Sequence, residues 1–210
     1  MDLLLEVNLR QWMTATPGLL DPKVQRLLKQ MYEFARQIQL VGFGPALKNL
    51  AGEVAVVSKA IDLTDLIADR LCRGIDASGN SIERKSLQET LYFCTGIAPE
   101  LLAPQFGKRL ETYLALNGSK GLIQVFLSTH LSNLILMDLH DSLQAATPEI
   151  FRTRMVAIER LCETAAKLLV RSWAKWPKLT QSSIMSSAQL ASEGMSKAIN
   201  PKKRAVRRSS

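Results

Sequence analysis

The sequence predicts an all-α protein, an irregular bundle of six or seven helices with a flexible basic C-terminal tail. Prolines lie where helices can begin, and the apolar residues between them recur every three or four positions. No segment convincingly shows the alternation of apolar and polar residues that is typical of a strand. The predicted helix starts, at residues 22, 45, 82, 99, 121 and 148, are unevenly spaced, which disfavours a regular repeat. A short HEAT-like helical array is the alternative architecture.

The first half of the chain contains three predicted helices. The first begins at Pro22, and its apolar residues from Val24 onwards share one face. The second begins at Pro45 and extends to about residue 72, with a restart where the apolar pattern shifts near Thr64. A shorter helix is predicted over 82–93, after a start with the spacing of a capping box at Asn80.

The second half contains three more predicted helices, over 99–116, 122–143 and 148–176. The turn "NGSKG" separates the first two. Thr147 is a suitable N-cap for the third, as Asp21 is for the helix at residue 22. Polar residues interrupt the most apolar stretch, 122–139, so a buried helix at the centre of the bundle is favoured over a membrane span.

Composition favours one domain with an appendage. The chain has 210 residues, 47% of them hydrophobic, and a mean hydropathy of +0.03, which is enough to form a core. We therefore predict a helical bundle domain over 1–178. From 179 to 210 the chain is Ser-rich and then basic, and we expect it to be mostly disordered. Ile184, Ala188 and Ala191 keep helical spacing, so a short helix on a partner is the less favoured interpretation.

The cysteines indicate an intracellular location. Cys72, Cys94 and Cys162 lie far apart, and an odd number at such spacing is typical of reduced, buried thiols. We expect the protein to be nuclear in a eukaryotic cell and cytoplasmic otherwise.

The charge is concentrated at the C-terminal end. Residues 1–151 hold 14 Lys and Arg against 16 Asp and Glu, a net charge of −2. Residues 152–210 hold 13 against 3, a net charge of +10. An anionic partner is therefore expected at the C-terminal quarter of the chain.

The last predicted helix has the sharpest pattern in the sequence. One face is apolar: Phe151, Met155, Ile158, Cys162, Ala165, Leu169, Trp173 and Trp176. The opposite face is basic: Arg160, Lys167, Arg171, Lys175 and Lys178. Three interpretations stay open. The basic face is solvated on a packed bundle helix, it binds nucleic-acid phosphates, or the tryptophans hold the helix on an anionic membrane surface.

The chain ends in a dense basic run, "PKKRAVRR", whose cations are Lys202, Lys203, Arg204, Arg207 and Arg208. The run resembles a monopartite nuclear-import signal, which implies a nuclear import receptor as a partner. The same charges can instead strengthen binding to nucleic acid or another anion.

Two groups of carboxylates give the only enzyme hypothesis that has a physical basis in this sequence. Asp62, Asp65 and Asp69 share one helical face, and Asp138 and Asp141 form a second pair. If these faces converged, they could hold Mg²⁺ for phosphoryl or diphosphate chemistry. A solvated acidic face is the favoured interpretation.

The two histidines do not form a metal site together. His130 and His140 are ten residues apart, which places them about 15 Å apart along a helix. His130 is expected to be hydrogen bonded at a helix contact, and no metal or other cofactor is predicted.

The leading hypothesis is a non-enzymatic helical interaction or scaffold protein. Its nearly neutral body contacts other proteins, and its basic helix and tail bind nucleic acid, an acidic protein or an import receptor. The alternatives are a peripheral membrane protein that uses the tryptophan-bearing helix, and a Mg²⁺-dependent enzyme built on the aspartates.

Overall fold

The computed structural model describes residues 9–52, 59–74, 81–96, 102–144, 146–173 and 179–199, and their side chains apart from those of 9–14, 142 and 194–199. Within these ranges the chain is helical, and the extended structure is an isolated antiparallel bridge between Lys59 and Leu102. The predicted all-α class is confirmed. The helices are α1 (Leu9–Leu20), α2 (Pro22–Val41), α3 (Phe43–Ala51), α4 (Ala60–Leu71), α5 (Ile82–Thr95), α6 (Ala103–Asp138), α7 (His140–Gln144), α8 (Pro148–Arg171) and α9 (Gln181–Ile199).

Helix α6 is the centre of the bundle. It packs against α1, α2, α3, α4, α5 and α8, because apolar side chains leave it in several directions. Leu122, Ile123, Phe126 and Leu127 are all buried, so two adjacent faces of the helix lie in the core. The predicted central position of the apolar stretch is therefore confirmed. In the described ranges, no helix combines the length and the apolar composition needed to cross a bilayer.

A sharp break divides α6 where the sequence predicts a turn. Gly118 has φ 68° and ψ 177°, a conformation that residues with a side chain rarely adopt. The amide of Gln39 on α2 bridges the break: its Oε1 accepts from Ser119 Oγ at 2.7 Å, and its Nε2 donates to the Leu114 carbonyl at 3.1 Å. These bonds satisfy polar groups that the interruption takes out of regular helical pairing.

The prediction of one helix from Pro45 to residue 72 is wrong, because two separate helices, α3 and α4, occupy this part of the chain. Helix α3 ends at Ala51, where Gly52 adopts φ 76°, and α4 begins at Ala60. Thr64 lies inside α4, where its hydroxyl donates to the Ala60 carbonyl at 2.9 Å, so the helix does not restart there. Residues 53–58 lie outside the described ranges.

Side-chain caps fix the helix starts. Asp21 Oδ1 accepts from Lys23 N at 2.8 Å, and Thr147 Oγ1 accepts from Ile150 N at 3.4 Å, as predicted. Helix α5 begins at Ile82, as predicted, but its cap lies one residue after the one expected at Asn80, which is outside the described ranges. Ser81 is the N-cap there and accepts from Arg84 N at 3.2 Å.

The prediction of a mostly disordered segment from Leu179 is wrong for Gln181–Ile199, which form α9. This helix packs against α8 and α1. Ile184, Ala188 and Ala191 are buried, as their helical spacing allows. Small side chains let two helices approach closely, so a segment poor in large apolar residues still buries a face. Residues 200–210 lie outside the described ranges, so the order of the basic terminus stays a prediction.

Candidate anion-binding face

Helix α8 is held in place by one buried face. Ile158, Cys162, Ala165 and Leu169 are buried there, as the predicted apolar pattern requires, whereas Phe151 near the start of the helix is 40% exposed. Packing against α6 and α9 fixes the rotation of α8 about its axis. Side chains on the opposite side must therefore point to solvent.

That opposite side carries Arg160, Lys167 and Arg171, and all three are exposed. We call these three residues the cationic face. At 100° per residue they lie within about 40° of one another around the helix, and at 1.5 Å per residue they span about 16 Å along it. In the described part of the chain, none of their side chains is hydrogen bonded or paired with a carboxylate. Two exposed carboxylates lie close in the sequence: Glu159 is adjacent to Arg160, and Glu163 is three residues after Arg160 and four before Lys167.

Lys120, on another helix, is a further cation near the C-terminal end of α8. It lies just after the break in α6, and its Nζ donates a hydrogen bond to the carbonyl of Trp173 at 2.7 Å. This contact places a fourth cation at the C-terminal end of α8, two residues from Arg171. No local pattern marks Lys120 in the sequence, because its proximity to α8 depends on how α6 and α8 pack.

Trp173 belongs to the core. It is 6% exposed, and its indole Nε1 is buried without a hydrogen-bond partner. A tryptophan in this position cannot reach lipid headgroups without leaving the bundle. Trp173 is therefore not available for the contact with lipid that the membrane interpretation requires. Trp176, the other tryptophan of that interpretation, lies outside the described ranges.

The basic region is interrupted by a neutral helix. Residues 152–173 hold five Lys and Arg against two Glu, a net charge of +3, and 179–199 hold one of each. The other seven positive charges belong to residues outside the described ranges: Lys175, Lys178, Lys202, Lys203, Arg204, Arg207 and Arg208. The region with a net charge of +10 therefore consists of two basic segments, one on either side of α9 in the sequence. Of the ten predicted anion-binding residues, the described ranges include three: Arg160, Lys167 and Arg171.

Two of the five aspartates, Asp65 and Asp69, are engaged in an ion-pair cluster between α4 and α5. Arg84 Nη2 lies 2.8 Å from Asp69 and 3.7 Å from Asp65, and Gln88 Nε2 also donates to Asp65. All five aspartates of the magnesium hypothesis lie in the described ranges. Within those ranges, no group of three His, Cys, Asp or Glu side chains is placed to hold a metal ion. The convergence of carboxylates that the magnesium hypothesis requires is not seen in the described ranges.

His130 is a buried packing residue that joins α5 and α6. Its Nδ1 lies 3.1 Å from Ser86 Oγ, and its ring stacks on Phe126 at 5.4 Å. Burial lowers the pKa of His130 to about 4, although the nearby carboxylate of Glu83 acts in the opposite direction. Asn133 also donates to Ser86 Oγ, at 3.1 Å. The expected hydrogen bond of His130 at a helix contact is present.

The three cysteines are buried free thiols. Burial raises the pKa of both Cys94 and Cys162 to about 12, which keeps these two sulfurs protonated and poorly nucleophilic near neutral pH. Hydrogen bonds from Tyr113 to Cys94 and from Ser132 to Cys162 only partly offset that burial.

No protein-family model, no curated protein and no solved structure matches this chain. The function proposed below therefore rests on the residues of the chain themselves.

Proposed function

We propose that this chain is a non-enzymatic helical interaction protein that binds an anionic partner through the cationic face of α8. The observation that carries the proposal is that Arg160, Lys167 and Arg171 are exposed on one line and lack a carboxylate partner in the described part of the chain. Three cations held in one row leave a positive potential that an external anion can neutralise.

The rigidity of α8 supports this proposal. Because the opposite face is buried, the backbone beneath the three cations is already ordered before a partner arrives. Only side-chain rotations are then lost on binding, which lowers the entropic cost of association. Lys120 adds a positive charge near the C-terminal end of α8, and Lys175 and Lys178 follow this helix in the sequence.

The partner that we favour is the phosphate backbone of a duplex nucleic acid. Duplex DNA carries one negative charge per about 1.7 Å of its axis, so a 16 Å row of cations faces several phosphates at once. The described part of this row contains no aromatic side chain on which an unpaired base could stack. Binding is therefore expected to depend strongly on salt and weakly on base sequence.

The terminal basic run has a supporting role in this proposal. Phosphate contacts are added by Lys202, Lys203, Arg204, Arg207 and Arg208, beyond those of the cationic face. In a eukaryotic cell the same run would serve as a nuclear-import signal, and its partner there would be an import receptor. The body, with its net charge of −2 over residues 1–151, offers helical surfaces to other proteins.

Binding to a fluorescent 20-base-pair duplex tests the proposal directly. The triple substitution Arg160→Gln, Lys167→Gln and Arg171→Gln should weaken binding by about tenfold or more at moderate salt. The matched control, Arg36→Gln, Lys48→Gln and Lys108→Gln, removes the same charge from exposed positions on α2, α3 and α6 and should change binding much less.

Competition separates the classes of anion. Unlabelled duplex should displace the labelled duplex far more effectively than polyglutamate at equal total charge, because phosphate spacing as well as charge is recognised. Equal loss of affinity in the two triple variants would contradict the proposed face. Better competition by polyglutamate would assign the face to an acidic protein instead of a nucleic acid.

A further inference from the structure

A second group of cations lies where α2 packs against the C-terminal end of α4, on helices other than α8. Two short segments, 22–30 and 70–74, contain five Lys and Arg and no Asp or Glu. These cations are Lys23, Arg26, Lys29, Arg70 and Arg73, and we call them the basic seam. Arg70 is half-buried, and the other four are exposed.

Contacts between the two helices bring the cations of the basic seam together. Arg26 Nη1 donates to the carbonyl of Gly74 at 3.5 Å, which places its guanidinium beside the residue that follows Arg73. Arg70 lines a cleft whose other wall includes side chains of α2. The two lysines of the seam lie three residues before and three residues after Arg26, so each is its neighbour on the surface of α2.

The charge of the basic seam is not neutralised within the described part of the chain. None of its three arginines pairs with a carboxylate there. Two carboxylates lie close to it, Asp21 at the start of α2 and Glu33 beside Arg70, and neither forms an ion pair in the described ranges. Asp69 is paired with Arg84 at 2.8 Å. The carbonyl end of α4 offsets only about half of one charge, so a positive excess is left.

The composition of the basic seam favours the phosphates of a duplex as its ligand. A guanidinium binds a phosphate through two parallel hydrogen bonds, whereas an ammonium acts as a point charge, and three of the five cations are arginines. The two segments contain no aromatic residue on which an unpaired base could stack. The seam is therefore suited to a duplex backbone, as the cationic face is.

We propose that the basic seam binds the phosphate backbone of a second duplex, so that one chain holds two duplexes together. This inference rests on the proposed function, because the cationic face of α8 holds the first duplex. Both α2 and α8 pack against α6, and their exposed sides point away from that helix, so the two surfaces are separate. The terminal basic run strengthens binding at the cationic face, so the second duplex binds more weakly than the first.

A bridging assay with the full chain tests the basic seam. An unlabelled duplex is immobilised on beads and saturated with the chain, and a fluorescent duplex is added after a wash. The wild-type chain should retain the fluorescent duplex, and the retained amount should fall as salt is raised. The variant Arg26→Gln, Arg70→Gln and Arg73→Gln should still be captured by the beads but should retain about tenfold less fluorescent duplex.

A second variant and a control locate the binding. Lys23→Gln with Arg73→Gln alters only exposed side chains of the seam and should lower retention about threefold, so it tests the seam even if loss of Arg70 unfolds the protein. The control triple variant, with its substitutions on α2, α3 and α6, should retain as much fluorescent duplex as the wild type.

The outcomes distinguish this proposal from the proposed function. Capture of the wild-type chain without retention of a second duplex would overturn the basic seam alone. Undiminished retention by both seam variants would also overturn it, because a dimer that bridges through two cationic faces would give that result. Retention of labelled polyglutamate in preference to the duplex would overturn it in favour of an acidic protein. If the beads do not capture the wild-type chain at all, the proposed function fails and this inference fails with it.

Discussion

The ammonium of Lys120 donates a hydrogen bond to the backbone carbonyl of Trp173, with 2.7 Å between Nζ and the oxygen. The contact joins the break in α6 to the residues that follow the last turn of α8. Trp173 is itself buried, and Lys175 and Lys178 follow it in the sequence. Lys120 therefore holds the backbone two residues beyond Arg171, the last residue of the cationic face.

Removal of this contact should affect both stability and binding. Lys120→Met keeps most of the aliphatic length but loses the charged donor, and we expect the free energy of unfolding to fall by about 1 kcal/mol. Duplex affinity should fall as well, because one cation is lost and the end of α8 is less firmly held. Lys108→Met, on the same helix and also exposed, is the control for loss of charge. Equal changes in duplex affinity for the two variants would show that Lys120 contributes no more to binding than another exposed cation of α6.

The stability of the protein should depend on the protonation of His130. Its pKa of about 4 in the fold lies below the ordinary value of 6.5, because burial disfavours the charged ring. The unfolded state therefore binds the proton more readily. The contribution of His130 is complete above about pH 6.5 and is lost as the pH falls towards 4. Between pH 7.5 and pH 5 the loss should be about 2 kcal/mol.

Chemical denaturation at a series of pH values measures this effect. His130→Leu removes the titrating group, so its free energy of unfolding should fall less than that of the wild type over the same range. The difference between the two curves isolates His130 from the carboxylates, which titrate in both proteins. Parallel curves for wild type and variant would contradict the assignment.

A glycine in α6 is required by a close contact with α3. A Cβ at Gly107 would lie 2.5 Å from Phe43 Cδ1, and the Phe43 ring is itself buried edge-on against Phe106, 5.7 Å between centroids. Gly107→Ala should therefore lower the free energy of unfolding by about 1–3 kcal/mol, although alanine is the better helix former. Gly44→Ala in α3 is the control. A Cβ there meets nothing within 4 Å, so this variant should be neutral or more stable.

The docking of α9 can be tested on two of its apolar residues. Ile184 is 1% exposed and Leu190 is 56% exposed on the same helix. Ile184→Ala should cost about 2–4 kcal/mol, because it leaves a cavity in the contact with the bundle. Leu190→Ala should stay within about 0.5 kcal/mol of the wild type. Thermal unfolding of both variants gives the comparison, and a negligible effect of Ile184→Ala would mean that α9 does not contribute to the core in solution.

Much of this fold follows from local sequence. The caps at Asp21 and Thr147, the apolar period of α2 and α8, and the interruption near Gly118 all depend on residues close together in the chain. Local signals of this kind act within one or two helical turns, so they are visible without knowledge of the packing.

The features that the sequence did not reveal depend on contacts between distant segments. Helix α9 buries small residues whose contribution is only apparent once α1 and α8 lie beside it, as the contact between Thr16 Oγ1 and Met185 Sδ at 3.7 Å illustrates. Lys120 likewise becomes a residue of interest only through its contact with Trp173, which depends on how α6 and α8 pack. Helix α1 itself was not predicted, and Pro17 lies within it.

The dependence of duplex affinity on salt is the measurement that tests the central claim most directly. Each phosphate contact contributes about 0.9 to the slope of log K against log salt concentration. Loss of Arg160, Lys167 and Arg171 should therefore reduce the slope by about 2.7 relative to the wild type. The control triple variant at Arg36, Lys48 and Lys108 should keep the wild-type slope within error. A slope unchanged by loss of the cationic face would show that α8 does not contact the phosphates and would contradict the proposed function.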